Sequence, residues 1–328
     1  MKKKKLIGLL IVGVISVLGG CSYPQSINVV SDDNSRVNDR FTVMFPSAAG
    51  PAGNVTFEFH ATDLAEHDSV MIYQTNNTSV NTNTVTEKGR KLGFEGDAGF
   101  VDQRLKISML DETEDEVRQF TVWENSGAVE YTILIPNKLY PETPPNLPSE
   151  EMAKSIATKF LYQVGLLPSD VGNIEVVTGG SVSLKKKNGT GTTEILDTYT
   201  AHLLVRYHRQ IDGLPVANSG GNKLGVRIGD RGEVIYVLKV WRDISPYTHV
   251  KVKTSNQAYQ ELKAGLGEYY VPPDCKKVII EEAYLAYWME PLDELQEYVM
   301  PVYEFKGRCL DINGKAIDVF YGWTNAVE

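Results

Sequence analysis

The sequence predicts an α+β fold of repeated units, each an amphipathic helix packed on a meander of antiparallel strands. Three observations predict it: apolar stripes at helical spacing recur at three places, each is followed by strand-like runs of alternating apolar residues, and turn residues punctuate those runs. With 42% hydrophobic residues in 328, the chain can bury a sizeable core, and its length suggests two or three domains.

The strongest helix follows residue 148. Ser149 stands at its N-cap, Glu150 and Glu151 lie in the first turn where the helix dipole favours negative charge, and Met152, Ala153, Ile156, Ala157, Phe160, Leu161 and Val164 form one stripe that Gly165 ends. Strand-like runs follow over 174–184, 198–210 and 223–241. Asn188-Gly189, Asp212-Gly213 and Asp230-Arg231-Gly232 supply turn signals among them. The arrangement recurs where Ser255 caps a helix bearing Ala258, Leu262 and Leu266, with strands expected over 278–288, 299–309 and 316–323. A weaker copy has Thr82 or Asn83 as cap, Val85 and Leu92 on the helix, and strands over 104–110, 118–123 and 128–135, preceded by strands over 55–60 and 69–75.

The ends of the chain predict export. Lys2 to Lys5, an uncharged apolar run over 6–18 and then Gly19-Gly20-Cys21 have the layout of a signal peptide, and the run is shorter than the roughly 20 residues a spanning helix needs. Leu18-Gly19-Gly20-Cys21 resembles a bacterial lipobox, which implies cleavage before Cys21 and acylation of its sulfur. The expected partner there is membrane lipid, with the protein held at the extracytoplasmic face of the cell membrane. Loss of residues 1–20 removes four lysines and no acid, so the mature chain is more negative than the formal −9 of the whole. Such an acidic chain is a poor match for nucleic acid, which needs a basic face. The expected layout is a signal peptide over 1–20, a tether over 21–40, an N-terminal domain over 41–140, a Pro-rich linker over 141–148, and central and C-terminal units over 149–254 and 255–328. These last two form either one body or two.

Cys275 and Cys309 are the remaining cysteines. In an oxidising exterior they are either a disulfide or two unrelated buried thiols.

Tyr207-His208-Arg209-Gln210-Ile211-Asp212-Gly213-Leu214-Pro215-Val216, followed by Leu224 to Ile228 and Gly232-Glu233-Val234, resembles the core pattern of PepSY-like domains. The segments 284–288 and 300–307 look like closing strands of the same architecture, similar to the extracytoplasmic YycH/YycI-type regulators. The resemblance implies repeated PepSY-like units that restrain or escort peptidases or regulate membrane sensors, with Tyr207, Asp212, Gly213, Pro215 and Gly232 as motif residues and no activity of their own. Residues 217–222 depart from the pattern, inserting Asn, Ser and two glycines where the family turns quickly.

No catalytic motif is legible. His60, His67, His202, His208 and His249 make no zinc-binding spacing, no G-x-S-x-G elbow or phosphate loop is present, and Gly179-Gly180-Ser181 reads as a turn. No cofactor or metal is expected. The acidic runs at 111–116 and 281–282 read as solvated turn or strand residues, whereas most of the 17 tyrosines and 4 tryptophans are expected in the core, with any that stay exposed on a sheet face or edge favouring recognition. The expected function is therefore a non-enzymatic protein-binding or regulatory module with an extracytoplasmic protein partner. The alternative is a lipoprotein that captures a small molecule or sugar between its domains.

Overall fold

A computed structural model describes residues 55–328 apart from 63–66, 77–78, 102–104, 115, 188–192, 219–220 and 222. The expected signal peptide, Cys21 and the expected tether lie outside the described residues, as does the turn expected at Asn188-Gly189.

Two antiparallel-rich sheets carry the chain. The first runs from β3 (Gly99–Val101) through β4 (Lys106–Glu112), β5 (Val117–Trp123), β6 (Val129–Ile133), β11 (Val234–Val240), β10 (Lys223–Ile228) and β8 (Thr193–Ile211) to β7 (Val171–Lys187), with β9 (Leu214–Pro215) paired to the end of β8. The second runs from β1 (Thr56–Phe59) through β14 (Lys277–Trp288), β15 (Tyr298–Leu310) and β16 (Ala316–Asn325) to β13 (Glu268–Tyr269). There β2 (Ser69–Thr75) bridges β15 and β12 (Ile244–Lys251).

The expected fold class is corrected on this point. Strands account for 50% of the described residues and helices for 16%, and two large sheets replace the repeat of helix-on-meander units. The physical reason lies in strand edges. A meander of three strands leaves two unpaired edges, and the lowest-energy use of them is to pair with other meanders. Thus β6 pairs β11 through Val129↔Lys239 to Thr132↔Tyr236, joining two runs that the sequence places in different units. In the other direction β1 pairs β14 in parallel and β2 pairs β15, so the first strands join the last.

Helices form where caps and stripes coincide. In α1 (Thr82–Lys91) the cap is Asn81 rather than Thr82 or Asn83, because its Oδ1 accepts from Thr84 N at 3.0 Å while Thr84 Oγ1 accepts from Asn81 N at 3.1 Å. After the short α2 (Pro136–Leu139) comes α3 (Glu150–Gln163), which Ser149 caps as expected and which buries Ala153, Ala157 and Leu161. For α4 (Ser255–Lys263) the cap is Thr254, and Ser255 is buried. One core lies beneath α1 and α3, around Phe94, Phe120, Tyr131, Val205 and Val226; another lies beneath α4, around Phe57, Leu262, Tyr303, Phe305 and Phe320.

Two local readings are also corrected. Gly179 and Gly180 are no turn; they lie inside β7, with Gly180 at φ +62, and a Cβ at Gly179 would stand 2.5 Å from the His202 ring. The glycines make the room that His202 fills, and burial there pushes its imidazole down to about 4. Strand β12 escaped the sequence reading because Pro246 interrupts it; the ladder to β2 shifts between Pro246 and Thr248, where a missing N–H costs little.

Candidate functional site

The chemistry of the molecule gathers where the second sheet meets the first. Across the second sheet, Glu268 on β13, Trp323 on β16, Glu304 on β15 and Tyr284 on β14 are register partners in one row, so their side chains share a face. Glu304 is 1% exposed. Burial pushes its carboxyl above the usual range, against the pull of the Asn218 N–H, Lys306, the Tyr284 hydroxyl and the Trp323 indole. The Asn218 N–H donates to Glu304 Oε2 at 2.8 Å.

That donor belongs to the 217–222 insertion, which thus has a role in the fold. Ala217 N donates to Tyr287 O at 2.9 Å, and Gly221 lies so close to the end of β14 that a Cβ would fall 2.0 Å from Glu290 O and 2.5 Å from Met289 C. Backbone cannot yield as a flexible side chain does. Gly221→Ala should therefore cost about 1–3 kcal/mol, read as a lower urea midpoint. A midpoint within error of the parent would show that the loop is free to lift.

Next to this loop lie two more acids. Burial raises Glu290 to about 7, with the Trp288 indole and Arg242 opposing and Glu294 adding. Burial and then the neighbouring Glu290 raise Glu268, also to about 7. Both carboxyls thus exchange protons near neutrality. The counter-charge is Arg242, 4% exposed, on the link between β11 and β12 that joins the two sheets. Its Nη1 donates to Glu290 O at 2.5 Å, and its Nη2 donates to Pro291 O at 2.7 Å and Glu294 O at 2.8 Å. Burial draws its guanidinium down to about 10, so it stays charged at neutral pH. Gln296 completes the loop, accepting from Glu290 N and donating to Trp288 O and Tyr298 O, each at 3.0 Å.

The first sheet grips the other side of the same link. Arg209 on β8 donates through Nε to Asp170 Oδ2 at 2.6 Å and through Nη1 to Arg242 O at 2.8 Å, with its guanidinium 5.2 Å from the Trp241 ring. Trp241 Nε1 donates to Asp170 Oδ1 at 2.8 Å. Asn125 Nδ2 donates to Asp293 O at 2.9 Å, and Ser126 Oγ to Leu292 O.

From this buried end the face of the second sheet opens outward. The Tyr321 and Trp323 rings stack at 6.4 Å, Lys306 Nζ stands 4.8 Å over the Tyr284 ring, and Val319 is 58% exposed. Glu281 and Glu282, both exposed, pair with Arg308 and Lys306. A shallow, open depression of about 530 Å³ lies elsewhere, along α3 beside Lys154, Lys159, Tyr162 and Leu167.

The motif residues do not converge. Tyr207 is buried under α3, its hydroxyl 3.0 Å from Thr158 Oγ1. Asp212 (φ 48) and Gly213 (φ 79) make the turn between β8 and β9, and Asp212 accepts from the Tyr73 hydroxyl at the junction of the sheets. Pro215 pairs Gln210 on an edge, and Gly232 (φ 83) sits 2.7 Å, at its would-be Cβ, from Ile156 Cδ1. Cys275 and Cys309 are both buried, and their sulfurs are not bonded to each other in this structure. The acids at the junction were legible only faintly: Glu304 is a lone carboxylate in the apolar run 299–305, and a charge in such a run marks a buried, partnered group.

Fold and site together define a mostly β protein whose two sheets are joined through a buried acidic and aromatic seam. No protein-family model and no curated protein matches the chain. Among solved structures it is similar to an uncharacterized protein from Eubacterium rectale, at 11% sequence identity and a TM-score of 0.44, over 86% of this chain and 92% of that one. A likeness of that degree carries no argument about activity. Among the described residues no group of His, Cys, Asp or Glu could hold a metal ion, and no helix is long and apolar enough to cross a membrane.

Proposed function

We propose that the protein is a lipid-anchored extracytoplasmic module that binds another protein and performs no chemistry of its own. The observation that supports this reading best is the open face of the second sheet, where Val319 and Tyr321 lead from solvent into the aromatic row. Exposed aromatic and aliphatic side chains on a rigid sheet offer a large contact area at little entropic cost. Cys21 supplies the anchor, and the PepSY-type resemblance over 207–234 makes a peptidase or membrane sensor the first partner class to seek.

A photo-crosslinking residue placed at Val319 in intact cells should capture one species over an unrelated lipoprotein. Val319→Asp should cut the yield by about tenfold with little loss of stability, since surface changes rarely exceed about 0.5 kcal/mol. Equal recovery from both lipoproteins would remove the reading. Capture of a small molecule or sugar is the second reading, supported by the carboxyl and indole groups at the junction. Stabilisation by members of a sugar panel would favour it.

A further inference from the structure

We propose that Cys275 and Cys309 are joined by a disulfide in the exported protein, made while the chain folds rather than afterwards. The pair rests on the export reading for its oxidising surroundings and on the core for its geometry. Cys275 is 1% and Cys309 0% exposed, and both belong to the core beneath α4. Cys309 is the register partner of Val278, Lys276 N donates to Leu310 O at 2.8 Å, and Cys275 N is tied back to Pro272 O at 2.9 Å. The ladder therefore holds the start of β14 against the end of β15, with both cysteines in the same apolar core. The Cys309 thiol is pushed up by burial first and by Cys275 second.

The timing follows from that burial. A thiolate is the attacking species, and an apolar core suppresses it while shutting out the oxidant. In the unfolded chain both thiols are accessible. One thiolate attacks an oxidant disulfide, such as that of oxidised glutathione, and releases one glutathione thiolate. The second thiolate then attacks the mixed disulfide and releases the other. Two protein thiols lose two protons and two electrons, and one glutathione disulfide becomes two glutathiones.

The test is thiol counting on the full-length lipoprotein purified from membranes without reductant. It should take up no alkylating label in denaturant and two labels after reduction, because an acylated Cys21 takes none. Reduced protein, unfolded and refolded in a glutathione redox buffer, should regain the bond. The same protein exposed to that buffer only after folding reduced should stay open at least tenfold longer. Reduction should lower the melting temperature by roughly 5–10 °C. Cys275→Ser and Cys309→Ser should each lower it by a similar amount and make the remaining drop on reduction vanish. Two free thiols after refolding in the oxidising buffer would overturn the pair. Free thiols in the cellular protein that nevertheless close on refolding would support the pair and count against export, and a third label would count against acylation of Cys21.

Discussion

Arg242→Ala should lower unfolding stability by about 3–5 kcal/mol, the range for a buried charge network that loses one partner. The guanidinium donates to three carbonyls, those of Glu290, Pro291 and Glu294. Alanine removes the guanidinium donor from all three carbonyls, leaving Pro291 O with the Glu294 N–H alone, opens a cavity the size of the lost side chain, and strips Glu290 of the cation that holds its carboxyl down. Lysine should recover only a minor part, because a single ammonium lacks the planar fork that spans three acceptors. Urea unfolding with an unchanged slope reads the effect. If Arg242→Ala unfolds within about 0.5 kcal/mol of the parent, the link between the sheets is not held as described.

Stability should also fall as pH rises from 5 to 8, the reverse of what paired surface carboxylates give. Glu290 and Glu268 have folded values near 7 against an ordinary 4.5. Between those limits the folded protein holds protons that the unfolded chain has released, so raising the pH favours unfolding. Their contribution is fully present below 4.5 and is lost as the pH passes through about 7. The two groups together are worth roughly 2–4 kcal/mol, less than the full shifts would give because the two acids interact. His202 acts in the opposite direction: its value of about 4 lies below the ordinary 6.5, so its contribution is present above 6.5 and is lost as the pH falls toward 4. Two groups against one leave a net decline over 5–7. Glu290→Gln should flatten the curve and raise stability at pH 8, since the amide carries no charge to desolvate. A midpoint that climbs from pH 5 to pH 8, or one that Glu290→Gln leaves unmoved, would refute the assignment.

A pH-sensitive joint between two sheets has a bearing on the proposed role. Asn218 and Gly221, the β14 to β15 connection and Arg242 all meet at these acids, so deprotonation loads charge into the seam that sets how the sheets sit together. The open face that includes Val319 belongs to the same sheet as Glu304 and Glu268, and partner binding there and proton binding at the seam are expected to be linked.

Local chemistry was readable from the residues. Ser149 with its two following glutamates gave the start of α3, the glycines at 165, 213 and 232 all adopt positive φ, and most strands fall where alternation placed them. Where two caps competed, at Asn81 and Thr254, the choice lay one residue away, within reach of a side chain no spacing rule resolves. Pairing between distant strands was not readable. The pattern of β6 shows which face it buries and says nothing of β11 as its neighbour, because edge hydrogen bonds are alike along any strand. The seam was hidden for a related reason. Glu290, Glu268 and Arg242 are ordinary surface residue types, and only the closure of the two sheets takes water away from them. Desolvation is a property of the assembled molecule, so burial, raised carboxyls and the demand for Arg242 arise together once the sheets meet.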